Sequence, residues 1–535
     1  MWTCSANGIG EGYEEVYLAT AVDDKAIRMY ELQFHDREGG LGAMNRADML
    51  RAAADRRGPW DLVVIGGGAT GAGIALDAAA RGYSVLLLER SDFGSGTSSR
   101  STKLVHGGVR YLRQGHVGLV LEALRERGRL LRNAPHLVHD LSFVLPCYRR
   151  RDVAFYGLGM KAYDVLAAWG GFGRSKMVSA GEVRRLLPTV RPAGLRGGVV
   201  YHDGQFDDAR LLIDLIGTAA GLGATVINYA PVTRLARGAG GTVDGVVFRD
   251  TESGKESHAA AKVVVNAAGP FCDEVRRMAD PSAAPLVAAS QGSHVVLDRS
   301  FLPADSALLI PETPDGRVLF AIPWHGHTLV GTTDVAIPSV PAEPRPTAAE
   351  IDFILETAGR YLDRPPRRED VLSTFAGVRP LVKAAGRNTA ALSRDYTIRL
   401  DVPGLLTITG GKWTTHRSMA QACVNRAAEL ARLPRRTCVT RNLRVAGTET
   451  EPGEVLHPRL PYTTADVVRA VRSEMARTVA DALARRTRAL FLNARAAVEM
   501  APRVADVMAR ELGRDEAWAE EQVRSFGELA HGYHV

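Results

Sequence analysis

The chain has 535 residues, 46% of them hydrophobic and 24% charged, with a net charge of +7 and a pI near 9.2. Such a length calls for two or three lobes with sizeable cores, and the hydrophobic content suits a soluble globular protein. No apolar run approaches the ~18 to 20 residues a membrane span needs, and the extreme N-terminus has no charged segment leading into an apolar one.

Cys4, Cys147, Cys272, Cys423 and Cys438 lack CxxC spacing. That pattern argues against a zinc site, an iron-sulfur cluster or a disulfide framework, so no metal is expected and the cytosolic side is the natural compartment. The basic balance favours an anionic partner: nucleic acid, acidic lipid headgroups or a phosphorylated substrate. No nucleic-acid-binding motif is present, so nucleic acid is not expected.

Residues 1–58 carry mixed charge without a sustained period and read as a poorly ordered extension. Met44 and Met49, shortly before the first strong strand, allow for a later translation start. DLVVIG from Asp61 is a short buried strand, Ala69 to Arg81 a helix and SVLLLE a second strand, a βαβ unit. Leu211 to Leu222 reads as a helix, VDGVVFRD and AKVVVNAAG as strands, and RGAGG between Arg237 and Gly241 as a tight turn. Residues 295–334 alternate short strands with turns, a Pro-rich connector follows Pro338, and the chain turns helical and Arg-rich after about Arg441.

Within the first unit, IGGGATGAG sets Gly66, Gly68 and Gly71 in GxGxxG spacing after a strand and at the start of a helix, and Glu89 ends the next strand. A lone GxGxxG is only a turn, but strand, glycines, small-residue helix and an acid ~20 residues on agree on a dinucleotide site. Gly66, Gly67, Gly68, Thr70 and Gly71 would carry the pyrophosphate at the helix start, and Glu89 the ribose hydroxyls. An acid there disfavours a 2′-phosphate.

Seven further segments, in order, are GTSSRSTKLVHGGVRYL (Gly96 to Leu112), VVNAAGPF (Val264 to Phe271), GSHVVL (Gly292 to Leu297), IPWHGHTLVGTTD (Ile322 to Asp334), FAGVRPL (Phe375 to Leu381), SRDY (Ser393 to Tyr396) and TITGGKWTTHR (Thr407 to Arg417). Together they resemble the FAD-dependent, quinone-linked glycerol-3-phosphate dehydrogenase family across roughly Asp61 to Arg441, and the helical tail resembles that family's C-terminal domain. The resemblance implies an α/β fold: a Rossmann-type FAD-binding domain of the glutathione-reductase-like, amino-acid-oxidase-like superfamily, a mixed β-sheet substrate domain and a C-terminal helical domain. The expected partition is 59–140, 205–280 and 375–430 for FAD, 141–204 and 281–374 for substrate, and 440–535 for the tail.

The implied reaction is oxidation of sn-glycerol 3-phosphate to dihydroxyacetone phosphate by hydride transfer to FAD, with electrons passed to a membrane quinone. An oxidase using dioxygen, or a catalytically silent flavin-binding relative, is the alternative. The resemblance puts Thr97, Ser98, Ser99, His106, Gly107, Gly269, Gly410, Gly411, Lys412 and Thr414 at the cofactor. A glycine pair before Lys412 and two threonines also suits backbone N–H groups at a helix start facing an electron-rich ring edge. Arg379 and Arg394 are assigned to the phosphate, which suits guanidinium forks. Arg110, Tyr111 and Lys412 are assigned to the hydroxyls or the flavin flank, with Thr332 or Thr333 adding a contact. Arg379 and Lys412 join His294 as the catalytic set, and His294 is the leading candidate base because imidazole titrates near working pH, with His106 as alternative.

The chain departs from the family at Thr102, where serine is common, and Arg100 adds a charge of undetermined direction. No EF-hand pattern is present, so calcium control is not expected. Tyr148 to Arg151 and the apolar, aromatic stretch Val153 to Trp169 read either as a lipid-interface segment or as an internal helix. The stripe Val468, Val471, Met475, Val479 and Leu483 beside arginines reads as domain packing or a homodimer contact. The expected location is cytoplasmic, peripheral to the inner face of the cell membrane.

Overall fold

A computed structural model describes residues 44–108, 117–167, 172–311, 313, 316–383, 395–447 and 451–535. Its first sheet grows from the βαβ unit. Strand Trp60–Ile65 pairs in parallel with Val85–Leu88 on one side and Glu256–Asn266 on the other; Thr225–Ile227 and Leu405–Gly410 continue it in parallel on the two sides, and Tyr396–Val402 adds antiparallel beyond Leu405–Gly410. The pairing strands are continuous runs of Val, Leu and Ile, as expected of a parallel sheet covered on both faces. Helix Ala69–Ala80, rich in Ala and Gly, is buried along nearly its whole length between the helices Asp208–Gly221 and His416–Leu430.

The second sheet has ten strands and is mixed, led by Val287–Asp298, which pairs antiparallel with Val371–Val382 along almost its full length. Strands Val138–Cys147 and Gly197–Phe206, paired over ten residues, form its other long ladder. This corrects the expected partition. Strand Val371–Val382 was placed with the FAD domain from residue 375, yet its ladder to Val287–Asp298 puts it in the substrate-side sheet. Strand Leu104–Val105 crosses over likewise, as do the first three residues of Val138–Cys147, whose remainder was already expected on the substrate side.

Two further expectations are corrected. Residues 44–58 were read as poorly ordered, but Arg46–Ala54 is a helix capped by Asn45, whose side chain accepts from the N–H groups of Ala47 and Asp48. Met44 is buried, and Arg46 donates to the carbonyl of Asn228 and to Asp250 (2.6 Å), so long-range polar contacts supply what the weak periodicity lacks. The Pro-rich connector contains helix Ala348–Gly359, nucleated by a capping box between Thr347 and Glu350.

The tail is helical as expected, dominated by Thr464–Glu474, Ala494–Leu512 and Glu516–His531. Val471, Met475, Val479 and Leu483 are buried and Val468 packs on them, so the stripe is packing within the chain. A π-helical turn, Ala482–Arg486, sends Arg485 (2.5 Å) and Arg486 (2.6 Å) to the buried Asp92, tying the tail to the loop after strand Val85–Leu88.

Candidate active site

The nucleotide cradle is made by backbone. Gly66 has φ +112°, and a Cβ there would lie 2.6 Å from the carbonyl oxygen of Ala267. At Gly71 a Cβ would collide with the carbonyl of Gly66, so only glycine lets the helix start this close to the strand. Gly68 precedes the helix without a side-chain cap, and the N–H groups of its first turn have no intrahelical acceptor. Glu89 accepts from the N–H groups of Gly67 (2.7 Å) and Ser91 (2.9 Å); burial pushes its carboxyl up against those two bonds. These spaces and donors fit the pyrophosphate and ribose of a dinucleotide.

The loop after Gly96 links this cradle to the rest. Ser98 Oγ accepts from Ala69 N–H (2.9 Å), and the Ser98 carbonyl accepts from Trp413 Nε1 (2.8 Å). Thr97 donates to the Val378 carbonyl (2.6 Å). Ser99 is buried, and its carbonyl accepts from Lys103 and Arg488, both at 2.8 Å. Arg100 is buried: it forks onto Glu343 (2.8 and 2.7 Å) and reaches Tyr533 Oη. Lys103, fully buried, pairs with Asp208 (2.7 Å); burial outweighs that carboxylate, Arg488 adds to it, and the ammonium is pulled down to about 7.

Beyond the loop lies a cavity of about 790 Å³. Thr97, Thr102, His106, His294, Thr332, Arg379, Gly411, Lys412 and Thr414 are all on its wall. Arg379 lies across Gly292, where any Cβ would run into the guanidinium, and it donates to Thr332 Oγ1 (3.1 Å) with Asp334 3.6 Å away. Arg317, also on the wall, sits 3.3 Å from the other oxygen of Asp334. Gly410 and Gly411, with φ of +86° and +76°, make the turn that carries Lys412 to the wall ahead of the 3₁₀ turn Trp413–Thr415 and the helix His416–Leu430.

His294 stacks on Phe375 (centroids 4.7 Å apart, planes at 14°), and its Nε2 is 2.9 Å from Thr102 Oγ1. Burial, then Lys103, then Arg379 hold the imidazole well below its usual pKa. The expectation of a ring titrating near working pH is therefore corrected: the ring is neutral there, since a cation would be desolvated and repelled.

Other expected residues are engaged within the protein. Thr333 also reaches the wall, but its hydroxyl donates to the buried Glu350 (2.7 Å) and accepts from Ser293 N–H. Gly107 packs against Tyr163 and Leu124 of the substrate-side helices, and its N–H donates to Tyr163 Oη (3.0 Å). Thr414 Oγ1 accepts from His106 N–H (3.2 Å). Gly269, φ +55°, opens a 3₁₀ turn after Asn266, beside the cradle wall formed by Ala267 and Ala268. Arg110, Tyr111 and Arg394, like Trp169, lie outside the described residues. Sequence reasoning missed Arg317, in a turn that no motif marks, and Asp92, in the short stretch between the strand ending at Glu89 and the motif starting at Gly96.

Comparison with known proteins bears on this arrangement. A family profile described as FAD dependent oxidoreductase matches residues 61–417, and one described as C-terminal domain of alpha-glycerophosphate oxidase matches 407–519. A mitochondrial glycerol-3-phosphate dehydrogenase of Arabidopsis thaliana is 39% identical over 89% of this chain and 87% of its own length. The Homo sapiens mitochondrial glycerol-3-phosphate dehydrogenase is 38% identical over 87% of this chain and 72% of its own. Among solved structures, a glycerol-3-phosphate dehydrogenase from Bacillus halodurans complexed with FAD superposes with a TM-score of 0.73 at 29% identity, covering 92% of this chain and 98% of that one.

Proposed function

The chain belongs to the family of FAD-dependent glycerol-3-phosphate dehydrogenases, and from that premise we propose that it oxidises sn-glycerol 3-phosphate to dihydroxyacetone phosphate using FAD. The observation that carries this reading is one cavity whose wall joins Gly411 and Lys412, on the cofactor side, to Arg379, Thr332 and His294. Gly66 to Gly71, Glu89, the loop from Thr97 and the Gly410–Gly411 turn hold the cofactor. When bound, FAD supplies the two-electron acceptor for a hydride from the substrate's C2.

The chain's own part is to bind, orient and deprotonate. Arg379 and Arg317 grip the phosphate, with Asp334 and Thr332 fixing their planes, so that C2 is presented in one orientation. Lys412 holds a glycerol hydroxyl, and neutral His294 takes the proton that leaves the C2 hydroxyl. Apolar wall residues such as Phe143, Leu145 and Phe320 keep water away from the developing carbonyl.

The electron acceptor is read as a membrane quinone. The cavity must hold the flavin ring as well as the three-carbon ester, and part of its wall is apolar, with Leu145, Met160, Leu309, Val318 and Phe320. At its mouth, helix Arg150–Ala167 exposes Phe155, Leu158 and Val165, the last two at 76%, beside exposed Arg149, Arg150 and Arg151. Such a face suits an acidic lipid surface, with the enzyme peripheral on its cytosolic side. Among the described residues no helix is long and apolar enough to cross a membrane.

The test is anaerobic addition of glycerol 3-phosphate to purified protein. Yellow colour that bleaches is expected; absence of colour defeats the cofactor reading, and colour without bleaching defeats the substrate reading. Reoxidation by a quinone analogue with little oxygen uptake separates the dehydrogenase from an oxidase.

A further inference from the structure

We infer that Thr102 is a catalytic hydroxyl that relays the C2–OH proton of the substrate to His294. The inference rests on His294 being the base, and it starts from what encloses that ring. One face of the imidazole lies on Phe375, and its edge is pressed so closely on Gly331 that a Cβ there would overlap it. Nδ1 is wholly enclosed and has no hydrogen-bond partner among the described residues. Nε2 is covered by Thr102 Oγ1 at 2.9 Å. His294 is on the cavity wall, and the hydrogen bond its ring makes among the described residues is to the Thr102 hydroxyl, which gives a proton from the cavity a path to Nε2.

Thr102 is suited to this by its neighbours. It lines the cavity and is half-buried, whereas His294 is 2% exposed. Asp208 holds the residues on both sides of it: Ser101 donates through N–H (3.0 Å) and Oγ (2.7 Å), and Lys103 through Nζ (2.7 Å). The hydroxyl is therefore fixed in place by a buried carboxylate that does not itself touch Thr102 or the ring.

The transfer balances as follows. With its hydrogen on Nδ1, the ring offers the Nε2 lone pair to Thr102. The substrate O–H bond breaks, its proton passes to Thr102 Oγ1, and the proton Thr102 already carried forms the new N–H bond at Nε2. The C2–H bond breaks with its electron pair leaving as hydride to the cofactor, and the C2–O bond becomes the ketone. The proton on His294 returns by the same hydroxyl after the product leaves.

The experiment compares Thr102→Val, Thr102→Ser and His294→Ala in holoenzyme, following anaerobic flavin bleaching by stopped flow and dihydroxyacetone phosphate affinity by equilibrium dialysis. Thr102→Val should slow bleaching about 10²- to 10³-fold, the range of a lost proton-transfer group, and abolish the solvent deuterium effect on the residual rate. Ketone affinity should not change, and Thr102→Ser should restore bleaching to within a few-fold. If His294→Ala is slow while Thr102→Val is fast, the relay is overturned and the base assignment stands. If His294→Ala is fast, both fall. If Thr102→Ser is as slow as Thr102→Val, or ketone affinity drops in parallel with rate, the role is packing and the relay is overturned.

Discussion

The nucleotide cradle and the substrate end of the cavity share the loop Gly96–Val105, but they are built in opposite ways. In the cradle, one βαβ unit places backbone groups, and the side chains that matter are those that are absent: a Cβ at Gly66 or Gly71 has nowhere to go. At the substrate end, strands Val287–Asp298 and Val371–Val382, the residues after strand His327–Gly331 and the turn after Leu405–Gly410 each deliver one or two side chains. The cradle should therefore fail on addition and the substrate end on deletion. It also follows that the cradle is local in sequence while the substrate end exists only after two sheets have formed.

The most severe test of that contrast is Gly71→Ala. A single methyl meets the Gly66 carbonyl, the helix start must back away from the strand, and the protein is expected to purify without yellow colour and without turnover. Flavin absorbance relative to protein absorbance reads this directly. A yellow Gly71→Ala enzyme would mean that side chains, not backbone proximity, hold the cofactor.

Next in size is Asp92→Asn, at the joint between cradle and tail. Asp92 is fully enclosed and takes Arg485 at 2.5 Å and Arg486 at 2.6 and 2.9 Å; the neutral amide removes the carboxylate they share, leaving Arg485 with Asp481 alone (2.5 Å) and Arg486 with Glu474 at 3.7 Å. A loss of about 3 kcal/mol in unfolding free energy, the low end for a broken buried ion pair, is expected, read by denaturant titration. Burial raises this carboxyl, but Arg486 and Arg485 outweigh it and set it at about 2, below the ordinary 3.8. Its stabilisation is thus complete above the ordinary value and disappears as pH falls through about 2, so the gap between wild type and variant should be constant above pH ~4 and close between ~4 and ~2.

The same contrast explains what was legible in the sequence. Strand Trp60–Ile65, helix Ala69–Ala80 and the tight glycine turn between them could be read because their partners lie within one supersecondary unit. Strand Val371–Val382 could not be assigned to its sheet, because FAGVRPL carries no mark of the strand it pairs with, which lies some eighty positions earlier. For Thr333 the motif gave the position but not the direction: Glu350, hidden in a helix behind it, takes its hydroxyl. Arg46 shows the same limit, since its helix is held by Asn228 and Asp250, which no local pattern in residues 44–58 reveals. His294 was placed at the cavity, but its depressed basicity comes from burial and then from Lys103 and Arg379, brought there by other segments.

Deletion at the substrate end is tested by Arg379→Ala, expected to lower kcat/KM for glycerol 3-phosphate by about 2 to 4 kcal/mol, roughly 30- to 10³-fold, with flavin content unchanged. Arg379→Lys should fall between, since it keeps a charge but loses the fork that reaches Thr332. Equal losses of flavin and turnover in Arg379→Ala would erase the distinction between the two regions.

The smallest effect concerns the outer face, where neither backbone nor convergent side chains decide but apolar area does. Val165 and Met177 are 76% and 58% exposed and lie off the cavity wall, so changing both to serine leaves the site and its hydrogen bonds intact. If this face sits in lipid, the double variant should lose about 1 to 2 kcal/mol of affinity for vesicles containing acidic lipid, roughly tenfold in sedimentation, while reduction of a water-soluble dye is unaffected. The arginines Arg149, Arg150 and Arg151 predict in addition that wild-type binding weakens as salt rises, because exposed charges are screened within a Debye length. Vesicle binding that ignores both the serines and the salt would remove this face from the electron path and leave the cavity to be reached from solution.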